Sequence, residues 1–252
     1  MILYFSATGN SKYVAEQIAK ATGDIAVSIT DCIRDERYNF EISDEEDLGI
    51  VAPVYFWGLP NVVIDFFRKA SFSGGSRNYV YHVATCGMFS GGAHRMMEHV
   101  LNAKGWYLHG KFSIRMVGTW TPLFNLANQE KNLRKTKAAQ HQISRVIMRI
   151  QDKVQVSGFG HNKFFIMISP MIYSKYANGR QTDHFIVDSS CIGCGICERV
   201  CPTAVLCMKD GRPTWTQNQC NLCLACLHHC PENAIQYTEK TRGRGQFVHP
   251  EE

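Results

Sequence analysis

Apolar and polar positions fall into alternating blocks along the first 150 residues. Short runs rich in branched and aromatic residues stand at Ile2–Phe5, Ile25–Ile29, Leu48–Val54, Tyr79–Thr85 and Trp106–Val117, and read as buried strands. Between several of them apolar residues recur every three or four positions, which predicts helices over Asn10–Ala21, Asn61–Lys69 and Gly91–Lys104. The first carries Val14, Ala15, Ile18 and Ala19 on one face. A longer pattern over Gln129–Lys153 aligns Ile143, Val146, Ile147, Ile150 and the following Val154. Strands alternating with helices predict a parallel sheet wound on both faces, with its ligand site at the carboxyl ends of the strands near the switch point.

Three loops fall at those ends. SATGNS, residues 6–11, sets Ser6, Thr8, Asn10 and Ser11 around Gly9 at the start of the first helix. Such a loop either holds a phosphate or simply caps the helix. PVYFWGLP, residues 53–60, offers a flat aromatic face, or else a hydrophobic staple for the next helix. TCGMFSGG, residues 85–92, is glycine-rich and admits close backbone contact. Together they describe a phosphate-bearing, flat, redox-active ring system, FMN. The chain has no G-x-x-x-x-G-K-[ST] loop, and GFGHNK at 158–163 lacks the third glycine of a dinucleotide fingerprint.

At 252 residues the chain suffices for about two domains. Its 45% apolar and 19% charged residues are those of a globular protein. No basic leader precedes the first apolar run. The longest later one, Phe164–Tyr173, is interrupted by Ser169 and Pro170 and falls short of the roughly 20 residues of a membrane span. A cytoplasmic protein without a membrane span is expected. The formal charge of +5 is scattered, so no nucleic-acid partner is expected. The denser Lys131, Arg134, Lys135 and Lys137 read as a solvated helix face, with a docking patch for an acidic redox partner as the sharper alternative.

Eleven cysteines change this picture. Eight form two copies of one motif, CIGCGICERVCP (Cys191, Cys194, Cys197, Cys201) and CNLCLACLHHCP (Cys220, Cys223, Cys226, Cys230), offset by 29 residues throughout. This C-x2-C-x2-C-x3-C-P spacing is that of the bacterial ferredoxin run. Three closely spaced thiolates wrap three corners of an iron–sulfur cube, and the fourth is carried away to the neighbouring one. One [4Fe–4S] cluster is thus expected on Cys191, Cys194, Cys197 and Cys230, and a second on Cys220, Cys223, Cys226 and Cys201. A third cysteine in each run is excess for structural zinc. Cys32 and Cys207 read as small buried hydrophobes. His228 and His229, inside the second motif, read as surface histidines. With about −2 on each oxidised cluster and about −2 on a flavin phosphate, the net charge becomes about −1.

YFSATGNS followed by a helix resembles the flavodoxin phosphate loop. The whole chain is similar to the ferredoxin-fused flavodoxin-like flavoproteins of anaerobic microbes, in which YFWGLP and the doubled cysteine motif also recur. The resemblance implies a doubly wound α/β domain with a five-stranded parallel sheet of order 2-1-3-4-5, joined to a C-terminal α+β ferredoxin domain with two clusters. The implied boundaries are 1–153 for the FMN domain, 154–185 for a connecting segment and 186–252 for the ferredoxin domain. The FMN phosphate would rest on Ser6, Thr8, Gly9, Asn10 and Ser11. The isoalloxazine would meet Tyr55, Phe56, Trp57 and Gly58, with a peptide near Gly58 able to turn its carbonyl. Thr85, Cys86, Gly87 and Gly92 would complete the site. Where an Asn-Tyr type contact is expected after the fifth strand, the chain reads GTWTPLF, which leaves open the roles of Thr119 and Trp120. The implied function is electron transfer between the clusters, FMN and a redox protein donor or acceptor, with no residue assigned as catalytic. The alternative is an FMN-dependent reductase of a small molecule supplied through the clusters.

Overall fold

The computed structural model describes residues 1–74, 78–156 and 163–251, with backbone alone at 163 and 164. All of GFGHNK but Lys163 lies outside them. The N-terminal half runs β1 (Ile2–Tyr4), α1 (Asn10–Thr22), β2 (Ala26–Ser28), α2 (Ile29–Arg34), β3 (Asn39–Glu41), β4 (Leu48–Pro53), α3 (Asn61–Lys69), β5 (Ser71–Ser73), β6 (Val80–Cys86), α4 (Ala93–Asn102), β7 (Gly110–Arg115) and α5 (Gln129–Gln151). Five of these strands form a parallel sheet in the order β2-β1-β4-β6-β7, with β3 and β5 as a separate parallel pair. Counting only the five strands of the sheet, the order is 2-1-3-4-5, with the switch point between β1 and β4.

The sheet follows from two-residue periodicity with both faces covered. Leu3, Phe5, Ile50, Ala52 and Val80 face one side, against Val63, Phe66 and Phe67 of α3 and Met97 and Leu101 of α4. Ile2, Val51, Tyr81, Val83, Phe112 and Ile114 face the other, against Val14 and Ile18 of α1 and Ile143, Val146 and Ile150 of α5. α5 stops at Gln151, short of the expected Lys153, because Lys153 takes a left-handed φ of 48° and ends the helical path. Val154 therefore leaves the helix, and its carbonyl accepts the Tyr79 hydroxyl.

The region expected as a connector carries α6 (Lys163–Asn178), with Pro170 inside it, and ends in β8 (Phe185–Val187). Beyond lie α7 (Ile196–Arg199), the antiparallel hairpin β9 (Leu206–Lys209) and β10 (Arg212–Trp215), α8 (Ala225–His228), and β11 (Ile235–Tyr237), which pairs with β8. No helix of the described residues is long and apolar enough to cross a membrane.

A third core joins the halves. Leu206, Leu222, Leu224, Leu227, Ile235 and Tyr237 pack around Tyr176 of α6, and Tyr55, Phe56 and Trp120 lean onto them from the N-terminal half. Tyr176 is fully buried. Its hydroxyl donates to the Asn221 side-chain or backbone oxygen, each at 3.0 Å, and accepts the Asn61 N–H at 3.2 Å. Burial pushes its pKa far up, so the phenol stays neutral.

Tyr176→Ala should therefore destabilise the chain by about 3–5 kcal/mol, and Tyr176→Phe by only about 1 kcal/mol. Urea denaturation checks both. Equal midpoints for the two variants would show that the ring carries no packing energy.

Candidate functional site

α1 begins at Gly9, whose φ of 82° is left-handed and favours glycine. No side chain caps this helix and no acidic residue occupies its first turn. The loop's polar groups are used elsewhere. The Ser11 and Thr85 hydroxyls bond at 2.8 Å, and Asn10 Nδ2 donates to the Val117 carbonyl at 3.0 Å. Asn10 Oδ1 is buried and has no hydrogen-bond partner among the described residues. The first-turn amides, with the positive end of the helix dipole, thus have no side-chain cap and are suited to an anion.

Residues 55–58 close a tight turn with two reciprocal backbone hydrogen bonds of 2.9 Å between Tyr55 and Gly58. Its central residues, Phe56 (φ 47°) and Trp57 (φ 63°), are both left-handed. Left-handed φ at both central positions marks a type I′ turn, which ordinarily takes Asn and Gly there. Gly58 itself is outside the left-handed region. A Cβ there would overlap the Tyr173 ring and come within 2.8 Å of Met96 Sδ. This glycine answers to close packing by α6.

The third loop leads from β6 to α4. Gly92 heads α4, and its N–H donates to the Trp57 carbonyl at 2.7 Å, fastening the third loop to the second. Phe165 of α6 stacks on Phe89 at 4.3 Å and meets Trp57 edge-on at 5.2 Å. In the GTWTPLF loop, Phe56 and Tyr237 meet Trp120 at 5.1 and 5.4 Å. A Cβ at Gly87 would stand 2.8 Å from the Cα of Gly118. Burial pushes the Cys86 thiol up to about 12.

These loops enclose a pocket of about 610 Å³. Of the residues expected there, Ser6, Thr8, Asn10, Ser11, Tyr55, Phe56, Trp57, Thr85, Cys86, Gly87 and Trp120 line it. Gly9, Gly58 and Gly92 do not line it. Sequence reasoning missed Phe89, Phe124, Ile172, Leu222 and Cys223, which also line it. The spacing of Phe165, Ser169, Ile172, Tyr173 and Tyr176 is a helical signal that could have found the α6 wall. Uncapped helix amides and aromatic walls around one pocket fit a flat ring that bears a phosphate.

The eight motif cysteines gather in two chambers. Cys191, Cys194, Cys197 and Cys230 ring one, and Cys201, Cys220, Cys223 and Cys226 ring the other. Among the described residues, no three His, Cys, Asp or Glu side chains are arranged around a single metal ion. Four thiols about one chamber fit a polynuclear cluster, whose irons spread the sulfurs apart. Burial pushes Cys226 well up and Cys220 to about 11, so their thiolates need a cationic partner. Cys32 is buried, as expected, and Cys207 half-buried.

His228 corrects an expectation: it is 3% exposed. Its Nδ1 accepts the Phe247 N–H at 3.3 Å, so Nε2 carries the proton and donates to the Thr119 carbonyl at 2.8 Å. Tertiary contacts from GTWTPLF and the C-terminal tail bury it. That tail continues to His249, whose N–H donates to the Thr8 carbonyl at 2.9 Å and whose ring stacks on Tyr13. Lys131, Arg134, Lys135 and Lys137 are exposed on α5.

Gly58→Ala should cost about 1–3 kcal/mol through overpacking against Tyr173 and Met96, lowering the melting temperature by several degrees. A calorimetric scan checks it. Cys86, neutral below about pH 12, should resist iodoacetamide in the folded protein at pH 8 and react once unfolded. Mass spectrometry of the peptide reads the difference, and rapid labelling of the folded chain would contradict the burial.

Curated proteins yield no match. Among solved structures, the chain is similar to a Fusobacterium nucleatum flavodoxin bound to flavin mononucleotide (13% identity, 61% of this chain and 97% of that one, TM-score 0.36). It is also similar to two-electron reduced Megasphaera elsdenii flavodoxin (21%, 45% and 85%, TM-score 0.32) and to the Trp repressor binding protein of Bacillus subtilis (14%, 62% and 100%, TM-score 0.37). Scores this low carry no weight beside the family match. A 4Fe-4S dicluster domain matches residues 190–235. The flavodoxin domain matches residues 1–131, just over half the chain, and the chain belongs to that family, as a flavodoxin-like protein fused to a ferredoxin-type domain.

Proposed function

We propose that this electron-transfer flavoprotein passes electrons between two [4Fe–4S] clusters and FMN and on to a redox partner. The observation that carries the reading is the position of Cys223. It rings the second thiol chamber and also lines the flavin pocket, with Leu222 beside it. The first chamber opens elsewhere: Cys194 is exposed and Ile192 is 64% exposed. A partner therefore has access at the first chamber, while the second faces the flavin loops.

When bound, the clusters supply single-electron exchange and FMN one- or two-electron storage. The chain's share is to hold and shield them. The open amides of α1, with Ser6, Thr8 and Ser11, would hold the phosphate. Tyr55, Phe56, Trp57 and Trp120 would flank the ring, and Thr85, Cys86 and Gly87 would close one side. Cys191, Cys194, Cys197 and Cys230 would hold one cluster, and Cys220, Cys223, Cys226 and Cys201 the other. A reducing compartment such as the cytoplasm suits eleven unpaired cysteines. Residues 1–153 form the FMN unit in this reading and 186–252 the ferredoxin unit. Residues 154–185 join them and, through α6, wall the pocket. Covalent fusion turns a bimolecular encounter into an intramolecular one.

Anaerobically purified protein should hold about eight irons, eight acid-labile sulfides and one FMN per chain. Reproducible zinc with no broad visible absorbance would refute the cluster assignment. Cys201→Ala should disturb the cluster of Cys220, Cys223 and Cys226, and damage confined to the other cluster would contradict the crossed ligation. In rapid mixing with a low-potential donor, the flavin of the full chain should be reduced at a rate independent of protein concentration. A rate linear in protein concentration would remove the intramolecular route.

A further inference from the structure

The two cysteine motifs differ at their second position. In the first, Ile192 follows Cys191 and is 64% exposed. In the second, Asn221 follows Cys220 and is 2% exposed. Asn221 Oδ1 accepts the N–H of Val62, in the first turn of α3, at 3.3 Å, and lies 3.0 Å from the Tyr176 hydroxyl. A backbone N–H only donates, so the contact with Val62 fixes the oxygen on that side and turns the amide NH2 the other way. That NH2 is buried and has no hydrogen-bond partner among the described residues. Asn221 borders the chamber of Cys201, Cys220, Cys223 and Cys226, whose other walls are largely apolar, with Val205, Leu206, Trp215 and Leu224 among them. An amide donor left unsatisfied in such a place is costly, and native proteins seldom leave one.

We propose that Asn221 donates an N–H···S hydrogen bond to a sulfur of the cluster held in this chamber and raises that cluster's reduction potential. A reduced cluster carries one more negative charge than an oxidised one, so a fixed donor stabilises the reduced form more, and hydrogen bonds to sulfur are among the levers that set cluster potentials. Ile192 offers the first cluster no such donor. Through Oδ1 the same side chain holds the start of α3, directly after the YFWGLP turn. Asn221 thus acts through the cluster as a positioning and tuning residue. The inference rests on the reading of these four cysteines as the ligands of one cluster.

The test is an anaerobic redox titration of the full holoprotein, followed by EPR for the clusters and by absorbance for FMN. Asn221→Leu should lower the ratio of reduced to oxidised cluster about tenfold at a fixed potential, equivalent to about 59 mV for a one-electron couple, in one cluster only. Asn221→Asp, which keeps the oxygen toward Val62 and replaces the donor by a charged acceptor, should lower it further. Both variants should leave the other cluster and FMN unmoved. A third measurement needs no variant to load its cluster. Wild-type protein labelled with 15N only in asparagine side-chain amides should show a 15N coupling to a reduced cluster in pulsed EPR. Eight irons per chain with an unmoved potential, or with no 15N coupling, would overturn the inference alone. Four irons per chain would overturn the cluster reading beneath it and the inference with it.

Discussion

Two adjacent aromatic residues are held in the left-handed region of the backbone, and much of the molecule is arranged to keep them there. Each non-glycine residue in that conformation costs on the order of 1–3 kcal/mol. Phe56 stacks near Tyr176 at 5.7 Å and meets Trp120 edge-on, while the Trp57 carbonyl takes the Gly92 amide. The restraints come from α6, from the loop after β7 and from the loop after β6. They are distant in sequence and meet only in the folded chain. The cost is offset by burial of large rings, each adding about 0.5–1.5 kcal/mol of specific aromatic contact beyond its area.

The same contacts erase a clean border between the halves. Thr119 is held by His228, the first turn of α3 by Asn221, and Thr8 by His249. Each joins a pocket loop, or the helix that follows one, to the cysteine-rich part of the chain. Ring packing and buried hydrogen bonds act together here, so relative motion of the two units would break both. Rigid placement of the second thiol chamber against the pocket follows from that coupling.

The legible parts of the sequence were those whose signal is local. The cysteine repeat of the 4Fe-4S dicluster domain shows its residue type and spacing within a dozen residues, and each strand of the sheet shows its own apolar run. The strand, turn and helix around SATGNS were legible because they follow one another directly. The rest depended on distant partners. α6 carries an inward row from Phe165 to Tyr176, of which Ile172 reaches the pocket, but Pro170 stands inside the helix and Met167 and Met171 on the exposed side blur its period. His228 resembles any polar residue of a cysteine motif until Thr119 and Phe247 are seen around it. Gly58 suggests backbone freedom, yet what it makes room for is the Tyr173 ring, 115 positions further on. Trp120 stands where a different flavin contact was expected, and only the nearby Tyr237 and Phe56 show it as the seam of two units.

The tail that ends on Thr8 has a consequence for biosynthesis. During translation the N-terminal sheet can assemble early, since domains tend to fold in the order they are made. The contact between His249 and Thr8, however, joins residues about 240 apart, and contacts of such separation are among the last that a chain can form. The loop of residues 6–11 therefore waits for about 240 further residues before its brace arrives. Until then, the loop of residues 6–11 lacks the backbone hydrogen bond that His249 gives to Thr8.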